Sequence, residues 1–174
     1  SAFEAGSPYF YSRKNNPNCE ELEQVISSFE GAKHSLSVSC GMSAIALVLS
    51  LLKPGEQLVI NRLIYGCTYK LFERFCARYG IDLLIVDLTD AASFKQFSSK
   101  TKMVFLESPT NPFLHTIAIK PIADAIKKAN PGGLVVVDNS WATGFFQKPL
   151  NHGADISLYS ATKYFCGHSD AMGG

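Results

Sequence analysis

The chain has 174 residues, of which 47% are hydrophobic and 18% are charged, and its net charge is +1. This length and composition fit one globular domain with a sizeable core and exclude a disordered chain. The near-neutral charge gives no electrostatic reason to expect nucleic acid or an anionic membrane as a partner. The longest apolar run, 44–52, is too short to span a bilayer.

Helix-like and strand-like segments alternate along the chain. The first helix is predicted to begin with Asn18 as its cap, supported by Glu21, and to stop at Gly31. Further helical patterns cover 43–52, 65–79, 91–97 and 121–129, and strand patterns cover 34–39, 57–61, 81–86, 102–106, 134–137 and 156–159. Continuous apolar strands joined by helices predict an α/β fold, in which helices cover both faces of a mainly parallel sheet.

The cysteines and histidines show no pattern of metal ligands or disulfide partners. The five cysteines are odd in number and contain no Cys-x-x-Cys pair, and the four histidines lack i,i+4 spacing. Structural zinc sites and disulfide frameworks both depend on such spacings. We therefore expect no metal site and a reducing, cytoplasmic location.

Polar, glycine-containing or ionisable residues stand where the apolar strands end. They are Cys40-Gly41-Met42, Asn61, Glu107, Asp138-Asn139 and Ser160-Ala161-Thr162-Lys163. Ligand sites in open parallel sheets gather at the carboxyl ends of the strands. The pattern therefore predicts one site at that edge of the sheet.

Lys163 and Asp138 form the pair with the clearest chemistry. Lys163 follows two hydroxyl residues after one strand, and Asp138 ends another. An enzyme that uses pyridoxal phosphate (PLP) needs a lysine that forms an imine with the cofactor, hydroxyls that hold its phosphate, and an acid that keeps its pyridine nitrogen protonated. The structural alternatives are a surface lysine after a strand and an aspartate that caps the next helix.

Three further positions give weaker signals of the same kind. Gly41, between a strand and a helix, lets a phosphate approach the free N–H groups of the helix start. Tyr65 at another helix start could lie against a flat ring. Asn111, in a loop stiffened by two prolines, could reach a cofactor hydroxyl. Each is also compatible with an ordinary turn or with core packing.

Taken in chain order, these motifs resemble those of one enzyme family. They are Tyr11-Ser12-Arg13, Cys40-Gly41-Met42-Ser43-Ala44, Tyr65-Gly66-Cys67-Thr68, Glu107-Ser108-Pro109-Thr110-Asn111-Pro112, Asp138-Asn139-Ser140-Trp141 and Ser160-Ala161-Thr162-Lys163-Tyr164 with Gly167-His168-Ser169-Asp170. Together they resemble the motifs of the Cys/Met-metabolism (transsulfuration) PLP-dependent enzymes, which include cystathionine β-lyase, cystathionine γ-synthase and methionine γ-lyase. The chain departs from the family at 15–18, where Asn-Asn-Pro-Asn replaces the usual Gly-Asn-Pro-Thr.

The resemblance implies a PLP fold type I large domain, similar to that of aspartate aminotransferase. The large domain would occupy 21–174, and 1–20 would be a segment that reaches a neighbouring subunit. The family's small carboxyl-terminal domain is absent, so we expect the chain to be a piece of a longer protein. We also expect the isolated piece to be poorly soluble or inactive.

The resemblance also implies roles for the residues around the cofactor ring. Lys163 would form the imine and move protons, and Asp138 would pair with the pyridine nitrogen. Tyr65 would stack on the ring and assist proton transfer, so that these three residues are the expected catalytic set. Asn111 would lie near the ring hydroxyl.

For the cofactor phosphate, the resemblance implies two sources of ligands. One is the chain's own phosphate cradle, made of two backbone amides and two hydroxyls, which belong to Gly41, Met42, Ser160 and Thr162. The other is Tyr11 with Arg13, which would reach the phosphate of a neighbouring subunit, since a guanidinium binds phosphate bidentately. Shared sites of this kind imply a homo-oligomer, expected to be a dimer of dimers.

The expected activity is cleavage of the C–S bond of cystathionine or a related thioether amino acid by β- or γ-elimination, within methionine and cysteine metabolism. Two alternatives stay open. One is γ-replacement, as in cystathionine γ-synthase or O-acetylhomoserine sulfhydrylase, and the other is a non-catalytic, truncated PLP-fold domain. A nucleotide-binding module has little support, because the chain lacks Gly-x-Gly-x-x-Gly.

Overall fold

The structure, a computed structural model, describes residues 9–174, which belong to two compact units that meet in the chain between Ser37 and Val38. The first unit contains helix α1 (Pro17–Glu30). The side chain of Asn16 accepts the N–H of Asn18 at 3.0 Å and caps this helix. The prediction of Asn18 as the cap was therefore wrong: Pro17 suits the first helical position, which moves the cap back to Asn16.

The second unit is built on a five-stranded parallel sheet. Its strands are β1 (Gln57–Asn61), β2 (Asp82–Val86), β3 (Thr101–Glu107), β4 (Leu134–Asp138) and β5 (Ile156–Leu158). Their order across the sheet is β2-β1-β3-β4-β5. Because every described pairing is parallel, all five carboxyl ends lie along one edge.

Helices cover both faces of this sheet, as the sequence predicts. They are α2 (Gly41–Leu49), α3 (Gly66–Tyr79), α4 (Ile119–Ala129), the short α5 (Thr143–Phe146) and two 3₁₀ helices, Ala91–Gln96 and Pro149–His152. One apolar cluster joins α2 and α3 to one face, and a second joins α4 to the other. Along β3 the side chains alternate between the clusters: Met103 and Phe105 belong to the first, Val104 and Leu106 to the second. The α/β prediction is confirmed.

The predicted strand at 34–39 is wrong, because the structure has no strand there. Val38 exchanges two backbone hydrogen bonds with Gly174, with N···O distances of 2.9 and 3.0 Å. A single residue pair does not make a ladder, so the apolar alternation of the segment is not matched by a partner strand. The short helices at 143–146 and 149–152 were not predicted, since four residues are too few to show a helical period.

Across residues 9–174, the structure contains no helix with the length and apolar character needed to cross a membrane.

Candidate cofactor-binding site

Two carboxyl groups end neighbouring strands at the edge where the sequence places the site. Glu107 ends β3 and pairs in register with Asp138, which ends β4, and Asp138 in turn pairs with Leu158 of β5. Burial raises the pKa of Asp138 above its ordinary value, although the N–H and hydroxyl of Ser140 donate hydrogen bonds to its Oδ1 at 3.0 and 2.7 Å. An acid in such surroundings is stabilised by a cationic partner.

Ser140 connects this acid to the segment that carries Lys163. Its Oγ accepts the backbone N–H of Ser160 at 2.7 Å while its hydroxyl donates to Asp138. Beyond Ser160 the chain turns: the Lys163 N–H donates to the Ser160 carbonyl at 3.0 Å, and the Gly167 N–H donates to the Lys163 carbonyl at 2.8 Å. Lys163 itself is exposed. The structure thus brings Asp138 and the 160–163 segment to the same edge of the sheet.

The start of helix α2 lies against Ser160. A Cβ added to Gly41 would stand 2.9 Å from both Cα and Cβ of Ser160, so only glycine permits this approach. Gly41 and Met42 are the first two residues of the helix, where backbone N–H groups have no acceptor within the helix and the helix dipole favours an anion. The structure thus brings the start of α2 together with Ser160, and the role of Gly41, Met42 and Ser160 as phosphate ligands stays a prediction.

Thr162, the fourth predicted phosphate ligand, has another partner. Its Oγ1 accepts the Gly173 N–H at 3.1 Å and lies 3.3 Å from the Gly173 carbonyl. Binding of a phosphate by this hydroxyl requires that its contact with the carbonyl be given up.

Tyr65 and Asn111 line one cavity of about 360 Å³, at the carboxyl ends of β1 and β3. The other lining residues are Arg62, Leu63, Ile64, Gly66, Pro112 and Phe113. The Tyr65 side chain is 46% exposed, so its ring is available to a ligand. The Cys67 thiol beside it, through a hydrogen bond and its charge, raises the pKa of the Tyr65 phenol.

Glu107 is a candidate that sequence reasoning left without a role. Its side chain is only 6% exposed, and its Oε2 accepts the backbone N–H of Tyr65 at 3.0 Å. Burial, and next the charge of Asp138, raise the pKa of Glu107 to about 7, while the N–H groups of Tyr65 and Asn111 act in the opposite direction. The sequence shows an acid at the end of each of two strands, but only the strand register shows that Glu107 and Asp138 are direct neighbours.

A buried amide network also escaped the sequence analysis. Asn139 is wholly buried, and its Nδ2 donates to the Gln147 carbonyl and the Tyr159 hydroxyl, both at 2.8 Å. The Gln147 Nε2 donates in return to Asn139 Oδ1 at 2.9 Å and to the Ser108 carbonyl at 2.8 Å. These residues follow Asp138, Glu107 and β5 directly, so the network ties three strand ends together. No local spacing in the sequence reveals it.

Tyr11 and Arg13 belong to the first compact unit. Both are exposed, and the guanidinium carbon of Arg13 lies 5.1 Å from the centroid of the Tyr11 ring, a cation–π contact. Their proposed reach to a neighbouring subunit stays a prediction. Residues 1–8 of the predicted amino-terminal segment lie outside the described residues.

Comparison with known proteins shows the family. The profile of the Cys/Met metabolism PLP-dependent enzymes matches residues 2–174, and the chain belongs to this family. It is 39% identical, over 94% of its length, to the putative cystathionine gamma-lyase 2 of Caenorhabditis elegans. It is 40% identical, over 95% of its length, to the cystathionine beta-lyase of Lactococcus lactis subsp. cremoris. The matches cover 42% and 43% of these relatives, respectively, so the chain spans less than half of their length.

A solved structure agrees with this assignment. The crystal structure of metB from Corynebacterium glutamicum superimposes with a TM-score of 0.92 at 35% identity, covering 99% of this chain and 45% of that one. The family uses PLP, and the residues at the edge of the sheet fit that group. An acid whose pKa is raised by burial suits the pyridine nitrogen, and the start of α2, where Gly41 lies against Ser160, suits a phosphate.

Proposed function

We propose that the chain is the cofactor-binding part of a PLP-dependent enzyme that cleaves the C–S bond of cystathionine or a related thioether amino acid by β- or γ-elimination. One observation carries the proposal: Asp138, with a pKa raised by burial, is joined through Ser140 to the segment of Lys163. When bound, PLP supplies an aldehyde for amines and a ring that accepts electrons from the substrate Cα.

Each residue near that ring has a separate role in the proposal. Lys163 would hold the cofactor covalently and, as a free amine, would move a proton at the substrate Cα. Asp138 keeps the pyridine nitrogen protonated, because a buried carboxylate gains most from a cation beside it. Tyr65 orients the ring and assists proton transfer, and Asn111 binds the ring hydroxyl.

The phosphate is held in the cradle at the start of α2. The backbone amides of Gly41 and Met42 and the hydroxyls of Ser160 and Thr162 provide its ligands. Tyr11 and Arg13 complete the site of a neighbouring subunit, which makes the working assembly a homo-oligomer, and we infer a dimer of dimers. Both named relatives are lyases, a cystathionine gamma-lyase and a cystathionine beta-lyase, which supports elimination over γ-replacement.

The first test is covalent trapping of the cofactor. The purified chain, incubated with PLP and reduced with borohydride, should carry a pyridoxyl group on Lys163, detected by peptide mass spectrometry. Lys163→Ala should lose this label. Lys120→Ala is the matched control, since Lys120 is an exposed lysine on α4 paired with Asp124, and its loss should leave the label in place. A label spread over several lysines, or none, would contradict the proposal.

The second step separates the two eliminations. With cystathionine, breaking the C–S bond on the β side gives pyruvate, homocysteine and ammonia, whereas breaking it on the γ side gives 2-oxobutyrate, cysteine and ammonia. These measurements belong to the full reading frame. Release of neither ketoacid by a PLP-loaded full-length protein would contradict cleavage and favour a replacement enzyme or a non-catalytic domain.

A further inference from the structure

The proposed function leaves one buried acid at the edge of the sheet unused. Glu107 is 6% exposed, ends β3, and pairs in register with Asp138. A buried carboxyl in this position costs free energy unless donors or charges compensate it. The protein keeps an ionisable group there, within a strand whose other buried residues are mostly apolar.

The contacts of Glu107 lead to the residues that line the cavity. The N–H of Tyr65, the N-cap residue of α3, donates to its Oε2 at 3.0 Å. The N–H of Asn111, in the loop after β3, also stabilises the carboxylate. The hydrogen bond to Tyr65 thus ties the start of α3 to the end of β3, and the effect of Asn111 shows that the 108–112 loop presents an N–H to the same carboxyl group.

We propose that Glu107 is a positioning residue: it fixes Tyr65 and the 108–112 loop at the end of β3, the strand next to Asp138, and its charge adds to the charge that Asp138 presents to the ring nitrogen. This inference rests on the proposed function, because it takes the cofactor ring to lie at Asp138. Glu107 itself acts through Tyr65, Asn111 and Asp138.

The groups around Glu107 make its ionisation depend on whether a cation is bound at Asp138. From β4 it faces Asp138, whose charge opposes its ionisation, whereas α3 and the 108–112 loop present the N–H groups of Tyr65 and Asn111. Burial and Asp138 together raise the pKa of Glu107 to about 7. A cation bound at Asp138 neutralises the opposing charge, so Glu107 becomes more easily ionised when the cofactor is present.

The unmodified protein offers the first test. An amide proton that donates to a carboxylate changes its chemical shift when the carboxylate ionises. In nuclear magnetic resonance spectra, the Tyr65 and Asn111 amides should therefore titrate together with a midpoint near pH 7, as the pKa of Glu107 dictates. Adding PLP should move this shared midpoint to lower pH by about one unit. Amides that titrate independently, or a midpoint that ignores bound PLP, would overturn the inference.

The matched control for this titration is at the opposite end of the sheet. The Lys53 N–H donates to Glu56 Oε2 at 2.8 Å, and Glu56 directly precedes β1. The contact is of the same kind but far from the predicted cofactor. The titration of the Lys53 amide should not respond to PLP, and an equal response there would overturn the inference.

Substitution gives the second test. Glu107→Gln keeps the shape and one acceptor but removes the charge, so it should weaken PLP binding about tenfold. It should also move the pH midpoint of the visible absorbance of the bound cofactor downward, because a protonated ring loses a neighbouring anion. Glu56→Gln should change neither quantity. An unchanged midpoint in Glu107→Gln would overturn the inference, since a purely structural residue moves affinity without moving that midpoint.

The two proposals fail differently. If the unmodified protein binds no PLP, the proposed function is contradicted. If it binds PLP through Lys163 while the Tyr65 and Asn111 amides ignore the cofactor, the role of Glu107 is contradicted and the proposed function stands.

Discussion

Glu107 and Asp138 are side chains for which folding itself opposes ionisation. The pKa of Glu107 is raised from 4.5 to about 7, and the pKa of Asp138 is raised as well, in both cases first by burial. At these two groups the folded chain binds more protons than the unfolded chain, for Glu107 between about pH 4.5 and pH 7. Their contribution to stability therefore falls as the pH rises through that range.

The cofactor-free protein should show this trend directly. Its free energy of unfolding should be highest near pH 4.5 and should decrease by up to about 3 kcal/mol by pH 7 through Glu107, at 1.36 kcal/mol for each pKa unit. The measurement is urea unfolding followed by circular dichroism at several pH values. Glu107→Gln should remove this contribution and leave the one due to Asp138, whose pKa is also raised by burial. Stability that rises over this interval in the unmodified chain would contradict the buried setting of Glu107.

At this scale the sequence singled out Lys163 and Asp138 as candidates but not the contacts around them. Lys163 and Asp138 could be selected because each follows an apolar strand and carries chemistry. Ser140 and Glu107 could not, since their importance comes from distances across strands: Ser140 bridges Asp138 to Ser160, twenty residues further along the chain. Strand register, which sets such neighbours, is a tertiary property.

Helix α2 begins at a close approach between Gly41 and Ser160. Gly41→Ala would place a methyl group 2.9 Å from two atoms of Ser160, so helix and turn must separate. We expect a loss of about 1–3 kcal/mol of stability, as for overpacked cores. We also expect weaker binding of PLP, because the phosphate ligands move apart. Thermal unfolding and absorbance titration with PLP measure both effects.

Gly66 provides the matched control for this substitution. It is also the first residue of a helix, α3, at the same edge of the sheet, but a Cβ there meets no atom within 4 Å. Gly66→Ala should therefore leave stability unchanged or slightly raise it. Equal losses in the two variants would show that the contact with Ser160 is not the cause.

Sequence patterns predicted best the strands that pair with a neighbouring strand on each side. Strand β1 has the predicted bounds, 57–61, because both of its neighbours pair with it and its apolar run is short and bounded by turns. The segment 34–39 alternates apolar and polar residues, as a half-buried strand does, but pairs only through Val38. Pattern alone does not report whether a neighbouring strand exists.

The molecule as a whole exposes an aromatic patch on and around α5. Phe145 and Phe146 are 77% and 82% exposed and contact each other edge to face, with centroids 4.9 Å apart. Trp141 and Tyr164 form a second exposed pair at 6.4 Å. Large apolar side chains in contiguous exposed groups are typical of surfaces that associate.

We therefore expect the isolated chain to associate in solution through this patch. Sedimentation velocity should show species larger than 19.0 kDa, and the double substitution Phe145→Ser with Phe146→Ser should shift the distribution toward that mass. Leu36→Ser is the control, because Leu36 is also exposed, at 65%, but belongs to the other compact unit. A monomeric unmodified chain, or equal effects of both changes, would contradict the expectation.

Gln147 connects the exposed surface of α5 to the residues that follow Glu107 and Asp138. Gln147 directly follows the two exposed phenylalanines, yet its side chain reaches inward to Asn139 and Ser108, the next residues after Asp138 and Glu107. We expect a subunit docked on α5 to restrict that helix and, through the Gln147 side chain, the residues that follow both carboxyl groups. Assembly would then influence how tightly the two acids hold a cation.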